Sequence, residues 1–264
     1  MSVNKIFFPE IIIGVPTADS KEYCKEKFFE NLSNFSYPNK KIVVVSNDCP
    51  NPFLEASYIG AVFGVTMKRV AVSTDRVVKF VSENNEVEFA FINPKTNQLN
   101  ERIAHSHNYL AQKAIFKNQP LLHLESDIIA PTNAIEELVI ASKPIVGGLY
   151  QINFADERQG MFYFKEQHGE IRYAYCPKSP YDAMEITGDP IEVFHCGLGC
   201  VLIQPFVLKK ITFRTEKGSG IPPDSFFYAD CDKNKIQVWL HTGVICDHLN
   251  QSWTKTAAKK WNLV

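Results

Sequence analysis

Between residues 11 and 150, β-rich apolar runs alternate with segments of helical periodicity, and this alternation restricts the fold more than any single motif does. IIIGVPTA at 11–18 ends in Pro, Thr and Ala after a buried-type apolar run, which reads as a strand passing into a loop. Residues 20–33 suit a helix, and KKIVVVSND at 40–48 a second strand. FLEASYIGAVFG at 53–64 is helical and KRVAVS at 68–73 a third strand. The region 74–100 is polar and turn-rich, although EVEFAFI at 86–92 alternates as a strand does. ERIAHSHNYLAQKAIFK at 101–117 has helical periodicity and leads into the strand PLLHLESDI. Thr132 or Asn133 then suits the cap of a helix running through 141, and PIVGGLY at 144–150 is a further strand. Strands separated by helices favour an α/β fold with a mostly parallel central sheet and right-handed crossovers. Ligands in such folds gather at the carboxyl ends of strands, where Thr17, Asp48 and Asp127 fall.

The later half has another texture. MFYFKE at 161–166 and GEIRYAYC at 169–176 suit a hairpin, with the loop around 177–190 lying over a site. VFHCGLGCVLI at 193–203 is apolar with closely placed glycines, where backbone can approach a ligand. IPPDSFFYADCDKNK at 221–235 opens on prolines and continues as a short helix, and IQVWLHTGVICDH at 236–248 returns as a strand and terminal loop. No repeat or interdomain linker interrupts the 264 residues, which suit one catalytic-size domain, with a half at about 10–130, a half at about 144–250 and a tail at 251–264.

Composition excludes several classes. A hydrophobic fraction of 45% rules out wholesale disorder. With 28 basic and 29 acidic side chains the net charge is -1, so no general attraction to nucleic acid exists. The start lacks a signal-peptide pattern and no run is long enough to span a membrane, so a cytoplasmic protein is expected. Seven loosely spaced cysteines do not form a secreted disulfide framework. Cys196, Cys200, Cys246 and His248 are the residues from which a zinc site would be built, but buried thiols are the simpler expectation.

LHLESDIIA at 122–130 ends an apolar run in Glu125 and Asp127, with Ser126 between them. In an extended segment residues i and i+2 face the same way, so both carboxylates offer hard oxygen ligands to a divalent cation. Such an ion suits phosphate chemistry, because it neutralises a leaving diphosphate. A shared solvated turn would explain the same pair without a metal.

In their order, these elements and motifs resemble the GT-A-type (Rossmann-like) nucleotide-sugar glycosyltransferases, close to the family 2-like group, over about residues 10–250. ESD is similar to that family's DxD signature, with Glu125 in place of the first aspartate. The resemblance implies that Glu125 and Asp127 hold Mn²⁺ or Mg²⁺ against the donor diphosphate, with Ser126 in the donor site and a small antiparallel lobe on the acceptor side. GVPTADS and VVVSNDCPN resemble the two nucleotide-binding strand ends, which implies donor contacts from Thr17 and Asp48. A turn or helix cap is the plainer role for Asp48. Arg102 resembles a position facing the nucleotide or diphosphate, and its fork of donors suits phosphate oxygens. His105 shares its helix face, with Asn108 following, and structural hydrogen bonds explain these two as well.

PPDSFF resembles the family's ED-type motif with Pro223 at the first acidic position, which implies Asp224 as the catalytic base. Asp230 and Asp232 compete for that role, and a helix cap is the plain alternative for Asp224. His248 matches a position where several such enzymes place a further metal ligand; neighbouring Asp247 is the competitor. The expected activity is transfer of a sugar from a nucleoside-diphosphate donor, UDP-sugar by default, to a saccharide or other hydroxyl acceptor. A modified nucleobase in DNA is a minor alternative acceptor, since it would have to be flipped from the duplex. Tyr150, Tyr173, Tyr175 and Trp239 can stack on an acceptor, although 12% aromatic content supplies many core residues. A metal-dependent nucleotidyltransferase is the competing enzyme class, and GVPTADSK lacks its dense glycine loop.

Overall fold

The computed structural model describes residues 8–72, 76–154, 157–161 and 188–249. Its elements follow the expected alternation. Strand β1 (Ile11–Thr17) leads through a 3₁₀ turn (Asp19–Cys24) into helix α1 (Lys25–Ser33), then β2 (Lys40–Ser46) and α2 (Pro52–Val62). The strands β3 (Met67–Val70), β4 (Val77–Ser82) and β5 (Val87–Ile92) precede the long α3 (Leu99–Lys117). After β6 (Leu121–Leu124) come β7 (Ile128–Ile129), α4 (Ala134–Ala141), β8 (Ile145–Leu149), β9 (Gln151–Phe154) and β10 (Glu157–Gly160). The chain closes with β11 (Pro190–Val193), β12 (Cys200–Ile203), α5 (Pro205–Leu208), α6 (Pro223–Lys233), β13 (Val238–Ile245) and β14 (Asp247–His248).

Ten strands form one sheet in the order β11-β13-β8-β12-β6-β1-β2-β5-β4-β3. Most run in one direction; β4, β11 and β12 are reversed. Parallel β1 pairs with β2 on one side and β6 on the other, so the chain winds outward in both directions from the β1–β6 junction. That junction is the switch point at which a doubly wound sheet opens a crevice beyond its carboxyl ends. Two small antiparallel pairs, β9–β10 and β7–β14, stand apart from the main sheet. Both faces of the central strands are covered: Ile11, Ile13 and Val15 pack with Phe28, Phe29 and Leu32 of α1, whereas Ile12 packs with Leu110 and Ala114 of α3. Burial on both faces explains the unbroken apolar runs of β1 and β2.

Several local expectations change. Val77–Ser82 is a strand inside the stretch read as turn-rich, because Lys79 and Val81 pair with β5 and β3 and a half-exposed strand tolerates polar neighbours. Residues 20–33 open with a 3₁₀ turn rather than α-helix. Asn133 occupies the N-cap of α4 without a capping hydrogen bond; its side chain donates to Glu137 instead. Residue 190 belongs to the edge strand β11 rather than to a loop. The expected hairpin at 161–176 and the tail at 251–264 lie outside the described residues, apart from Met161. Among the described residues no helix is long and apolar enough to cross a membrane.

Candidate active site

The carboxyl ends of β1, β2 and β6 and the amino end of β12 meet along one sheet edge. β6 ends at Leu124, so ESD is a turn and not an extended segment: the Ile128 N–H donates to the Glu125 carbonyl at 3.0 Å. The turn gives the two carboxylates different exposure. Glu125 remains partly exposed, whereas Asp127 is 0% exposed. One backbone ladder then fixes what faces Asp127. β14 pairs with β7, placing His248 opposite Ile128, and the Leu249 N–H donates to the Asp127 carbonyl at 2.8 Å. His248 Nε2 consequently lies 3.2 Å from Asp127 Oδ2, while its Nδ1 is 2.9 Å from the Gln151 carbonyl. The Gln151 carbonyl accepts a hydrogen bond from Nδ1–H, and in the protonated ring Nε2–H donates to the Asp127 carboxylate. Asp247 is exposed, so of the two neighbours His248 is the one that faces the acids.

Lys21, from the 3₁₀ turn, forms an ion pair with the same Asp127 Oδ2. Asp127 Oδ1 and Ser126 Oγ are buried and have no hydrogen-bond partner among the described residues. Burial pushes the Asp127 carboxyl up, but the hydrogen bond from His248 and the charge of Lys21 win and bring it to about 2. Glu125 goes the other way: burial first, and the Asp127 charge second, push it up to about 7. The charges of Lys21 and His248 oppose that shift. Ionisation is thereby divided between two carboxylates.

That division predicts a pH signature. A carboxyl at about 7 when folded and about 4.3 when unfolded binds more protons in the folded state between those values, so its contribution to stability falls as pH rises through that window. Glu125→Gln is expected to stabilise the fold by about 1–3 kcal/mol at pH 8 and to have no such effect at pH 4. Urea unfolding at both values measures the difference; an equal effect at both would contradict the shift.

Asp224 opens α6, where its Oδ1 accepts from the Ser225 N–H at 2.8 Å. His195 lies behind it, with Nε2 3.6 Å from Asp224 Oδ2, longer than a full hydrogen bond. The Gly197 N–H donates to His195 Nδ1 at 3.0 Å, so neutral His195 carries its proton on Nε2, toward Asp224. Burial pushes the Asp224 carboxyl up; the His195 contact and the Ser225 N–H outweigh it and hold the group below the usual carboxylate range. Asp224 stays ionised beside a directed N–H. Asp230 is instead clamped by Arg214 at 2.7 and 3.1 Å.

A cavity of about 190 Å³ lies against Lys21 and Ser126, with Thr17, Lys25, Ser46 and the acids Asp19, Glu22 and Glu55 also in its wall. Thr17 and Ser126 therefore border one cavity from two different strand ends. Asp48 sits beside it, accepting from the Asp19 N–H at 2.9 Å and holding the loop after β1. Arg102 reaches the loop after β2: its Nη2 is 2.9 Å from both the Asn47 carbonyl and Oδ1, and 3.8 Å from Asp48 Oδ2. His105 is exposed, and Asn108 exchanges hydrogen bonds with the Phe213 backbone.

The glycine segment serves packing. A Cβ at Gly199 would lie 2.7 Å from the Tyr150 ring, and one at Gly197 would collide with the Tyr150 hydroxyl. Tyr150 is buried, its hydroxyl accepting from the Gly199 N–H, with its ring edge-on to His248. Trp239 packs on the core beneath Lys143, 3.7 Å from the ring centroid. Tyr173 and Tyr175 lie outside the described residues. Cys196, Cys200, Cys231 and Cys246 are free and buried, and among the described residues no three His, Cys, Asp or Glu side chains converge as a metal cage. Sequence reading missed Lys21 and His195. The signal for His195 was its place two residues before Gly197; nothing in the sequence marks Lys21 among its lysines.

The sheet order, the β1–β6 junction and the small antiparallel pairs give a GT-A-like architecture. GalNAc-T7, crystallised with UDP, GalNAc and Mn²⁺, is similar in structure, with a TM-score of 0.58 at 12% identity over 93% of this chain. The match spans 44% of the GalNAc-T7 chain. A crystallised fragment of S. aureus TarS, residues 1–349, aligns with 92% of this chain and 59% of its own at 13% identity, with a TM-score of 0.48, too low to bear on the fold. No protein-family model matches the chain, and no curated protein matches its sequence.

Proposed function

We propose that the chain transfers a sugar from a nucleoside-diphosphate donor, UDP by default, to an acceptor hydroxyl. The observation carrying this reading is the contact of Lys21 and His248 with one oxygen of buried Asp127 just beyond β6, next to a cavity that Lys21 and Ser126 line. A GT-A-like fold raises the prior for this chemistry without deciding it. Thr17, Ser126 and Asp48 are assigned to the nucleotide, with Arg102 holding the loop that carries Asp48. Residues of about 10–130 serve the donor and about 144–250 the acceptor.

The donor set fits a divalent ion in its chemistry. Asp127 Oδ1 is buried without a partner, and His248 Nε2 faces the same carboxylate. With only these two side chains close together and Glu125 nearby, Mn²⁺ or Mg²⁺ would draw its remaining ligands from diphosphate and water, as Mg²⁺ sites commonly do. Such an ion offsets charge on the leaving diphosphate. Asp224, ionised and steadied by His195, accepts the proton of the acceptor hydroxyl as its oxygen attacks the anomeric carbon. That assignment corresponds to inversion. Free thiols at half-buried Cys49 and at buried Cys24, Cys196, Cys200, Cys231 and Cys246 suit a reducing compartment such as the cytoplasm.

Calorimetric titration of UDP, GDP, CDP and dTDP, each with and without Mn²⁺, tests the reading. One diphosphate should bind with marked metal dependence. Absence of binding by every member, in folded protein, would reject the transferase assignment.

A further inference from the structure

We infer that Lys21 is a built-in cation of the acidic site: it holds Asp127 in the donor-free protein, must yield that carboxylate to a divalent metal, and then turns its ammonium onto the donor diphosphate. The last part rests on the transferase reading; the competition at Asp127 does not.

The argument begins with burial. A carboxylate with no exposed surface needs a cation or hydrogen-bond donors to remain ionised. Asp127 concentrates its partners on one oxygen, Oδ2, which faces both Lys21 Nζ and His248 Nε2, and leaves Oδ1 with none. A metal entering between Asp127 and His248 would meet the ammonium at Oδ2 and repel it. Lys21 can give way. Its side chain is 35% exposed, rises from a short 3₁₀ turn and also lines the cavity, whereas Asp127 is locked by the β7–β14 ladder. A four-carbon stem lets the ammonium swing from carboxylate to cavity without backbone movement. The cavity wall holds Thr17 and Ser126, from the two strand ends assigned to the donor, together with the acids Asp19, Glu22 and Glu55, so a diphosphate there requires the charge that Lys21 brings. Lys25, the other lysine in that wall, is already paired with Glu55 at 2.6 Å and Glu22 at 3.3 Å.

The test uses the full chain and Mn²⁺ alone, without nucleotide. Lys21→Met, which keeps the stem and removes the charge, should bind Mn²⁺ about tenfold more tightly than the wild type, and the gain should vanish in the Lys21→Met/Asp127→Asn double variant. With saturating Mn²⁺ present, Lys21→Met should bind UDP more weakly than the wild type. Equal Mn²⁺ affinity in wild type and Lys21→Met would overturn the inference. Should Lys21→Met fail to fold, the wild type suffices: saturating Mg²⁺ should shift the Lys21 Nζ and Cε resonances, and unchanged resonances would overturn it equally. A tenfold Mn²⁺ gain with no nucleotide bound by any variant upholds Lys21 as the competing cation and rejects the transferase reading.

Discussion

Asp224→Asn is expected to lower turnover by about 10²–10⁴-fold while leaving diphosphate affinity unchanged. The substitution preserves the volume and the Ser225 N–H contact at the start of α6, so the helix and its neighbours persist. What disappears is the ability to take a proton. The amide oxygen keeps the Ser225 N–H and the amide nitrogen takes the position facing His195, where the imidazole can meet it as an acceptor by changing tautomer. Activity against a matched donor and acceptor, with UDP calorimetry on the same preparation, measures both quantities. Undiminished turnover would remove Asp224 from the reaction. Loss of UDP binding together with turnover would mean that it shapes the donor pocket instead.

The second large effect is at Asp127. Asp127→Asn leaves Lys21 and His248 facing a neutral amide in a buried position, where breaking an ion pair by removing one partner costs up to about 3–5 kcal/mol. Lys21 is partly solvated, so we expect about 1–3 kcal/mol from thermal and urea unfolding at pH 7. The sign with pH follows from the folded carboxyl at about 2, below its unfolded value. The stabilisation is complete above the unfolded carboxylate range and is lost as pH falls through about 2. Wild type and variant should therefore converge in acid. The same substitution should weaken metal-dependent diphosphate binding by about 100-fold. A variant as stable as wild type at pH 7, binding diphosphate normally, would dismiss the site.

Much of the fold was legible because burial leaves a one-dimensional trace. β1 and β2 are covered by helices on both faces and read as unbroken apolar runs, and α3 shows its period because one face packs on the sheet. β4 left a weaker trace, since its stability comes from pairing with β3 and β5 on a half-exposed surface. Asp127 and His248 were legible as chemistry at strand ends, and Asp224 as an acid beside prolines.

Composition and periodicity determined by themselves that strands and helices alternate, that the sheet runs mostly one way and that acids cluster at its carboxyl edge. Only the tertiary structure decided which partners each acid meets. The ESD turn sends Glu125 and Asp127 into different environments, and the β7–β14 ladder brings His248 across 121 positions to Asp127. Lys21 meets Asp127 across 106 positions of the chain, and His195 meets Asp224 from the loop before β12. Local sequence records which face of an element is buried, because each residue's neighbours in its own helix or strand carry that signal. It does not record which distant charge a buried carboxylate meets, because that depends on how the sheet is closed.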